Sequence, residues 1–134
     1  MCFILHRSSI KPTMKDDIYY GFTETSVFTR QLFKMADDNL LYEIQRALIA
    51  NPLLGDVIQG THGARKGRVN NPKTNKGKSG GLRFIYVFLE RSERIYLIYL
   101  FPKTGPGKQA DLTPEQKKAV AEQVLIIKKG YNEV

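Results

Sequence analysis

The chain has few of the residues that build covalent or metal-based sites. It contains one cysteine, two histidines and no tryptophan in 134 residues. A single cysteine, Cys2, excludes an intrachain disulfide and a cysteine-based zinc site, and it is typical of a protein in a reducing compartment. His6 and His62 are far apart in the chain, and neither belongs to a group with the spacing of metal ligands. We therefore expect no metal and no other cofactor.

Long apolar runs are also missing. No apolar segment approaches the ~20 residues of a membrane span, and the apolar residues 2–5 are too few for the core of a signal peptide. Hydrophobic residues make up 42% and charged residues 25% of the chain, which is an ordinary globular composition. The sequence predicts a soluble, cytoplasmic protein with one domain over residues 16–134. An extension over residues 1–15, poorly packed or dependent on context, precedes this domain.

Acidic residues are scarce in the second half of the chain. The net charge is +8, but residues 1–56 carry six bases and seven acids, whereas residues 57–134 carry fifteen bases and six acids. No acid lies between Asp56 and Glu90, and this stretch contains seven bases: Arg65, Lys66, Arg68, Lys73, Lys76, Lys78 and Arg83. A field of one sign attracts polyanions, so the charge favours a nucleic-acid partner. The alternative is a basic surface that serves solubility alone.

Helix signals lie on both sides of this basic stretch. Thr25 or Ser26 caps a helix that runs to about residue 36, and residues 37–39 cap a second helix that ends before Pro52. The short loop between them predicts an antiparallel helical hairpin. Thr113 begins a capping box with proline at the first helical position, so a C-terminal helix runs to about residue 129. The apolar stripes of the first two helices are expected to be core or interface residues, and that of the C-terminal helix is expected to point inward: Phe28, Leu32, Met35, Leu41, Ile44 and Leu48, and Val120, Val124 and Ile127.

Strand signals fill most of the remaining chain. Strands are predicted over residues 18–22, 64–69, 82–89 and 95–101, the last two joined by a charged hairpin. The strand over residues 82–89 is apolar on both faces, so we expect it to be central in the sheet and covered on both sides. Arg83, at its start, is its one charged residue.

The bases on the two middle strands have the chemistry that phosphodiester cleavage needs. Cleavage of RNA requires deprotonation of the 2′-OH, neutralisation of the charge that develops around phosphorus, and protonation of the leaving 5′ oxygen. Arginine donates two parallel hydrogen bonds to a phosphate, and a lysine crowded by other cations exchanges protons closer to neutrality. Lys66 and Arg68, two residues apart on a strand, share one face, while Arg65 points to the other. We expect Arg83 to converge on the side of Lys66 and Arg68.

Six short segments resemble those of a known family in their order and spacing. They are residues 23–28 (TETSVF), 51–58 (NPLLGDVI), 63–69 (GARKGRV), 77–86 (GKSGGLRFIY), 102–103 (PK) and 111–115 (DLTPE). Together they resemble the RelE/ParE superfamily of bacterial toxins, and most of all its HigB-type branch. The resemblance extends over about residues 18–127.

The resemblance implies an α+β fold in which an antiparallel β-sheet carries the N-terminal helical hairpin on one side and a C-terminal helix. It implies the toxin of a type II toxin-antitoxin system, a ribosome-dependent endoribonuclease (mRNA interferase) that cleaves mRNA in the A site and inhibits translation. The expected partners are therefore the ribosome, mRNA and a cognate antitoxin. That antitoxin is expected to be HigA-like with a helix-turn-helix, and operator DNA is contacted only through the toxin–antitoxin complex.

Carried over to this chain, the resemblance assigns the phosphate-handling catalytic bases to Lys66, Arg68, Arg83 and Lys103. Further bases are expected to bind RNA: Arg65, Lys73, Lys76, Lys78 and Lys108. Phe101 departs from the family, because related sequences often have tyrosine at this position. Two alternatives remain open: a non-enzymatic, ParE-like toxin that poisons gyrase, and a plain basic RNA-binding domain. Converging phosphate ligands speak against the first, and the lack of an evident aromatic platform speaks against the second.

Overall fold

The computed structural model describes residues 20–35, 39–69, 81–102 and 111–133, and the backbone of residues 4–7. These residues form an α+β fold of six strands and three helices. The strands are β1 (Ile4–Arg7), β2 (Gly21–Thr25), β3 (Asp56–Val57), β4 (Arg65–Val69), β5 (Leu82–Leu89) and β6 (Arg94–Pro102). The helices are α1 (Ser26–Met35), α2 (Leu40–Ala50) and α3 (Pro114–Gly130).

The strands form one mixed sheet in the order β1-β2-β6-β5-β4-β3. Every pairing is antiparallel except that of β2 with β6, which run parallel. The sheet therefore departs at one pairing from the fully antiparallel arrangement that we expect from the sequence. The reason is the connection: β2 leads into two helices and three further strands before its neighbour is reached, and a parallel pair requires a long crossover of this kind. β1 lies within residues 1–15, where no strand is predicted.

The two faces of the sheet carry separate cores. We call the face covered by α1 and α2 the hairpin face; its core contains Phe28, Ile44, Leu48, Leu82, Phe84 and Tyr86. The other, the α3 face, has a core that contains Ile85, Val87, Leu89, Val120, Val124 and Ile127. Because β5 contributes alternate side chains to both cores, its predicted central place in the sheet is confirmed.

The predicted ends of two helices are also confirmed. The Phe28 N–H donates to the hydroxyl of Thr25 at 3.1 Å, so Thr25 caps α1. At the start of α3 the Thr113 side chain and the Gln116 side chain each accept the other residue's backbone N–H, which completes the capping box. This reciprocal cap fixes where α3 begins and therefore where Asp111, two residues before Thr113, lies. Asn39 precedes α2, but its side chain does not accept a capping hydrogen bond.

β2 contains more polar residues than the apolar pattern of a strand predicts, so its bounds differ from those expected from the sequence. β2 begins at Gly21, whereas the sequence predicts a strand over residues 18–22. Thr23, Glu24 and Thr25 extend it and are buried, because internal partners satisfy polar atoms there. Thr29 donates its hydroxyl hydrogen to the Glu24 carboxylate at 2.7 Å. These polar contacts replace the apolar alternation by which a strand is recognised.

A β-bulge in β6 changes which side chains reach the α3 face. Ile85 lies opposite Tyr99, but Tyr86 lies opposite Leu97, so Ile98 is an extra residue in β6. The Thr25 hydroxyl donates to the Ile98 carbonyl oxygen at 2.7 Å. An extra residue reverses the alternation that follows it, and Tyr99 and Phe101 consequently pack on the α3 face.

Candidate functional site

Three predicted site residues lie together at one end of the α3 face. The β4–β5 register places Arg68 directly opposite Arg83 and Lys66 directly opposite Ile85. Side chains opposite each other in an antiparallel pair share a face, with Cβ atoms about 5 Å apart. Ile85 belongs to the α3-face core, so Lys66, Arg68 and Arg83 are on that face as well. The structure thus brings these three cations together in the way the spacing predicts, and we call them the cation cluster.

The two arginines form an arrangement that costs stability. Like charges directly opposite each other on neighbouring strands are destabilising. Arg83 is half-buried, and its Nε is buried without a hydrogen-bond partner among the described residues. A buried donor without a partner costs about 1–3 kcal/mol. Residues that destabilise the protein on its own are often found at binding sites, where a ligand supplies the missing contacts. For two opposed arginines that ligand would be an anion.

An acid adjoins the cation cluster, and sequence reasoning did not assign it to the site. The Lys66 Nζ lies 3.1 Å from Oδ2 of Asp111, which is 45 residues away in the chain. The other oxygen, Oδ1, accepts the Leu112 N–H at 2.8 Å. The Leu112 hydrogen bond and then the Lys66 ammonium lower the pKa of Asp111 below its usual range, so its carboxyl is ionised at neutral pH. The position of Asp111 immediately before the capping box was the available signal, because that box fixes the start of α3 beside β4.

Two aromatic residues of β6 extend the same end of the α3 face. Phe101 lies opposite Arg83 in the register and is buried. Tyr99 lies one row further along, with its ring centroid 5.8 Å from that of Phe101. The Gln116 side chain of α3 donates to the Tyr99 hydroxyl. A phenol therefore lies beside Phe101 on the α3 face although Phe101 itself has none, and the β-bulge, which the sequence does not reveal, sets the face of Tyr99 and Phe101 relative to the first half of β6.

Arg65 lies on the opposite face from the cation cluster, as predicted. It is opposite Tyr86 in the register, and its Nη1 donates to the Gly55 carbonyl oxygen at 2.7 Å. The Tyr86 hydroxyl in turn accepts the Gly55 N–H at 3.0 Å and donates to the Pro52 carbonyl oxygen at 2.7 Å. We call these four residues the Gly55 network. A role for Arg65 in RNA binding stays a prediction, and the arginine already has a structural role.

The remaining predicted bases lie outside the described residues. Lys73, Lys76 and Lys78 fall in residues 70–80, and Lys103 and Lys108 fall in residues 103–110. The described strands end beside the cation cluster, where Val69, Leu82 and Pro102 are neighbours in the register. The roles assigned to these five lysines stay predictions.

An apolar pocket also opens on the α3 face, between the start of α1, β6 and α3. Its lining contains no charged side chain: Val27, Ile98, Tyr99, Gln116, Ala119, Val120 and Gln123. Apolar walls do not hold a phosphate, so the pocket is distinct from the cation cluster in chemistry.

Other kinds of site find little support in the part of the chain that the structure describes. No three His, Cys, Asp or Glu side chains within it are grouped so that they would hold a metal ion. None of its helices has the length and apolar character that crossing a membrane requires. A comparison of the chain with models of known protein families gives no match.

Proposed function

We propose that this protein is the toxin of a type II toxin-antitoxin system and that it cleaves mRNA on the ribosome. The observation that carries the proposal is the cation cluster, in which Arg68 and Arg83 are directly opposite each other and Lys66 shares their face. Two neighbouring arginines do not stabilise a sheet, whereas a phosphate that contacts both receives charge-assisted hydrogen bonds from each.

The reaction that these residues suit is attack by a ribose 2′ oxygen on the adjacent phosphorus. The bond between the 2′ oxygen and phosphorus forms while the bond between phosphorus and the 5′ oxygen breaks. The 2′ proton is removed by a base, and a proton is delivered to the departing 5′ oxygen. The products are a 2′,3′-cyclic phosphate and a 5′-hydroxyl. Negative charge grows on the oxygens around phosphorus during this step, and Arg68 and Arg83 are placed to donate to it. One such donor is worth about 3 kcal/mol of transition-state stabilisation.

The ribosome has a necessary part in this proposal. Fixed cations attract RNA but do not by themselves align a 2′ oxygen with the bond that it must break. The three side chains of the cation cluster include no carboxylate or imidazole to remove the 2′ proton. A ribosome that holds mRNA in an in-line geometry would supply this alignment, and such positioning accounts for a large share of many rate accelerations. Acting there also places the protein in the cytoplasm.

The arrangement of the fold supports a RelE-like protein of the HigB-type branch. α1 and α2 cover one face of the sheet and α3 covers the other, and all pairings but one are antiparallel. The cation cluster lies on β4 and β5, the strands that carry the corresponding segments of the resemblance.

The surface also supports a protein partner, which we propose is the antitoxin. Phe33 on α1 is 76% exposed and Tyr42 on α2 is 52% exposed. Exposed apolar side chains that form a contiguous patch are typical of interaction sites, and a basic protein favours an acidic partner. We propose a HigA-like partner that binds operator DNA through its own helix-turn-helix. Co-purification with the product of the neighbouring gene at physiological salt tests this, and failure to bind either neighbour's product would contradict it.

The decisive experiment adds purified protein to a translation extract and maps the 5′ ends of the mRNA. We expect cuts on translating ribosomes and none in the same RNA without ribosomes. Treating the protein with a chelator before it meets intact ribosomes should leave the cutting unchanged, because the cation cluster supplies the positive charge. Efficient cleavage of naked RNA would overturn the ribosome dependence. Binding without cutting would favour the RNA-binding domain, and inhibition of gyrase without cutting would favour the ParE-like toxin.

A further inference from the structure

The ion pair between Lys66 and Asp111 contributes little to the stability of the fold. The Lys66 side chain is 27% exposed and that of Asp111 is 60% exposed, so water competes for both charges. Ion pairs with this exposure are weak and are screened by salt. A pair that stabilises little and lies at the edge of a cluster of cations therefore calls for another explanation.

The Asp111 carboxylate is held in a fixed position. Its Oδ1 accepts the Leu112 N–H, and the capping box at Thr113 fixes the backbone that follows. With Oδ1 held, Oδ2 is directed to the Lys66 ammonium at 3.1 Å. A carboxylate oxygen accepts a charge-assisted hydrogen bond from an ammonium group as a phosphate oxygen does. Asp111 thus contacts Lys66 as an RNA phosphate would.

From this geometry we infer that Asp111 competes with an RNA phosphate for Lys66, so that the protein carries an internal anion which limits its affinity for RNA. The inference rests on the proposed function, because it assigns the phosphate-binding role to the same cluster. A phosphate that reaches Arg68 and Arg83 meets the negative charge of Asp111 beside Lys66. It must displace the carboxylate before Lys66 can contribute its full attraction.

This competition has a consequence for selectivity. Arg68 is exposed and Arg83 is half-buried, and neither has, among the described residues, the ion pair that occupies Lys66, whereas Lys66 joins them only when the RNA backbone comes close enough to displace Asp111. Loosely bound RNA would leave the ion pair intact. RNA held in a defined path by a larger assembly would break it, so Asp111 reduces nonspecific binding more than productive binding.

The test measures binding of a short, fluorescently labelled single-stranded RNA to the full chain at several salt concentrations. Asp111→Asn keeps an oxygen that can accept the Leu112 N–H but removes the charge. We expect it to bind the RNA about three- to tenfold more tightly at low salt, because Lys66 then contacts a phosphate. The slope of log affinity against log salt should become steeper by about 0.7, the value for one added contact with a single strand.

Two matched variants separate competition from general electrostatics. Glu122→Gln, at an exposed position in the middle of α3, removes one negative charge just as Asp111→Asn does. It should leave the affinity close to that of the wild type. In a Lys66→Ala background, Asp111→Asn should lose its effect. Asp111→Ala repeats the measurement with a different side chain, and circular dichroism confirms that each variant is folded.

The outcomes are distinct for the two proposals. An equal gain from Glu122→Gln, a gain that persists without Lys66, or an unchanged or weaker affinity for Asp111→Asn would overturn the competition while leaving the cation cluster in place. RNA binding that is absent in the wild type, or insensitive to Arg68→Ala and Arg83→Ala, would overturn the RNA-binding role of the cluster and the competition with it.

Discussion

Arg65 and Arg68 are three residues apart on β4, but they lie on opposite faces of the sheet and in different surroundings. On the hairpin face, Arg65 donates to Gly55 and lies opposite Tyr86, so its charge is engaged by the protein itself. On the α3 face, Arg68 is exposed and lies opposite a second arginine. On the hairpin face the polar contacts of Arg65 hold the chain together, whereas on the α3 face we propose that the arginines bind a ligand. In this proposal the position of a cation on the strand, more than its type, decides its role.

The largest expected effect is the loss of cleavage when Arg83 is removed from the α3 face. Arg83→Ala should lower cleavage of ribosome-bound mRNA by about a hundredfold, since one donor to the transition state is worth about 3 kcal/mol. Growth arrest on expression without the antitoxin should be relieved. Primer extension on mRNA from a translation extract measures the cleavage.

Arg65→Ala is the matched control from the hairpin face. It should lower stability by about 1 kcal/mol through the lost hydrogen bond to Gly55, and it should lower cleavage far less than Arg83→Ala does, because Arg65 lies on the opposite face from the cation cluster. Full toxicity of a folded Arg83→Ala variant would show that the two faces do not differ in the way proposed.

The next effect concerns packing on the hairpin face. A Cβ atom on Gly67 would lie 2.4 Å from Cζ of Phe84, whose ring is fully buried. Gly67→Ala should therefore lower the free energy of unfolding by about 1–3 kcal/mol, as overpacked cores do. Urea denaturation measures it. Gly130→Ala is the control, because a Cβ there meets nothing within 4 Å. Equal stability of the two variants would contradict the tight contact.

A smaller loss is expected from the Gly55 network. Tyr86→Phe removes the hydrogen bond to the Pro52 carbonyl oxygen and the acceptor of the Gly55 N–H. The expected loss is about 1–2 kcal/mol in the free energy of unfolding, since buried groups lose their partners. Tyr42→Phe, at an exposed position on α2, should change stability little. A Tyr86→Phe variant as stable as the wild type would show that water replaces these bonds.

The burial of Tyr86 also makes the free energy of unfolding depend on pH in the alkaline range. Burial raises the pKa of the Tyr86 hydroxyl above its ordinary value of 10.0. The folded state therefore holds its proton more tightly than the unfolded state. This contribution to stability is complete below about pH 10 and is lost as pH rises through the raised pKa. The difference in unfolding free energy between the wild type and Tyr86→Phe should shrink over that range. A constant difference would contradict the prediction.

The smallest expected effect is on the salt dependence of RNA binding, which compares a cation of the α3 face with one of the hairpin face. Arg68→Ala should weaken RNA binding severalfold and reduce the slope of log affinity against log salt by about 0.7. Lys34→Ala removes one exposed cation from α1, on the hairpin face, and should leave the slope unchanged. Fluorescence anisotropy over a range of salt concentrations measures both. Equal slopes for the two variants would mean that the whole basic surface binds RNA without a preferred face.

The features that could be predicted from the sequence depend on neighbouring residues. β5 has the bounds that its two-sided apolar pattern indicates, and the spacing of Lys66 and Arg68 places these two on one face, which the register with Arg83 then completes. The features that could not be predicted depend on distant residues. The ion pair of Lys66 with Asp111 joins residues far apart in the chain, and the bulge at Ile98 is coupled to a hydroxyl on β2. The capping box at Thr113 indicates where α3 begins, but no local pattern in the sequence shows that Asp111 meets Lys66 or that Ile98 is an extra residue.

The parallel pairing of β2 with β6 also determines the order in which the chain is able to assemble during its synthesis. β2 ends at Thr25, and β6 begins at Arg94. At the usual rate of synthesis, roughly 3–14 s separate the two strands. The β5–β6 hairpin is closed by a short turn and its pairing needs no earlier segment, so we expect it to form early. The nascent chain is therefore expected to form the sheet from its central strands, β5 and β6. The strands that are synthesised first, β1 and β2, would join the sheet among the last.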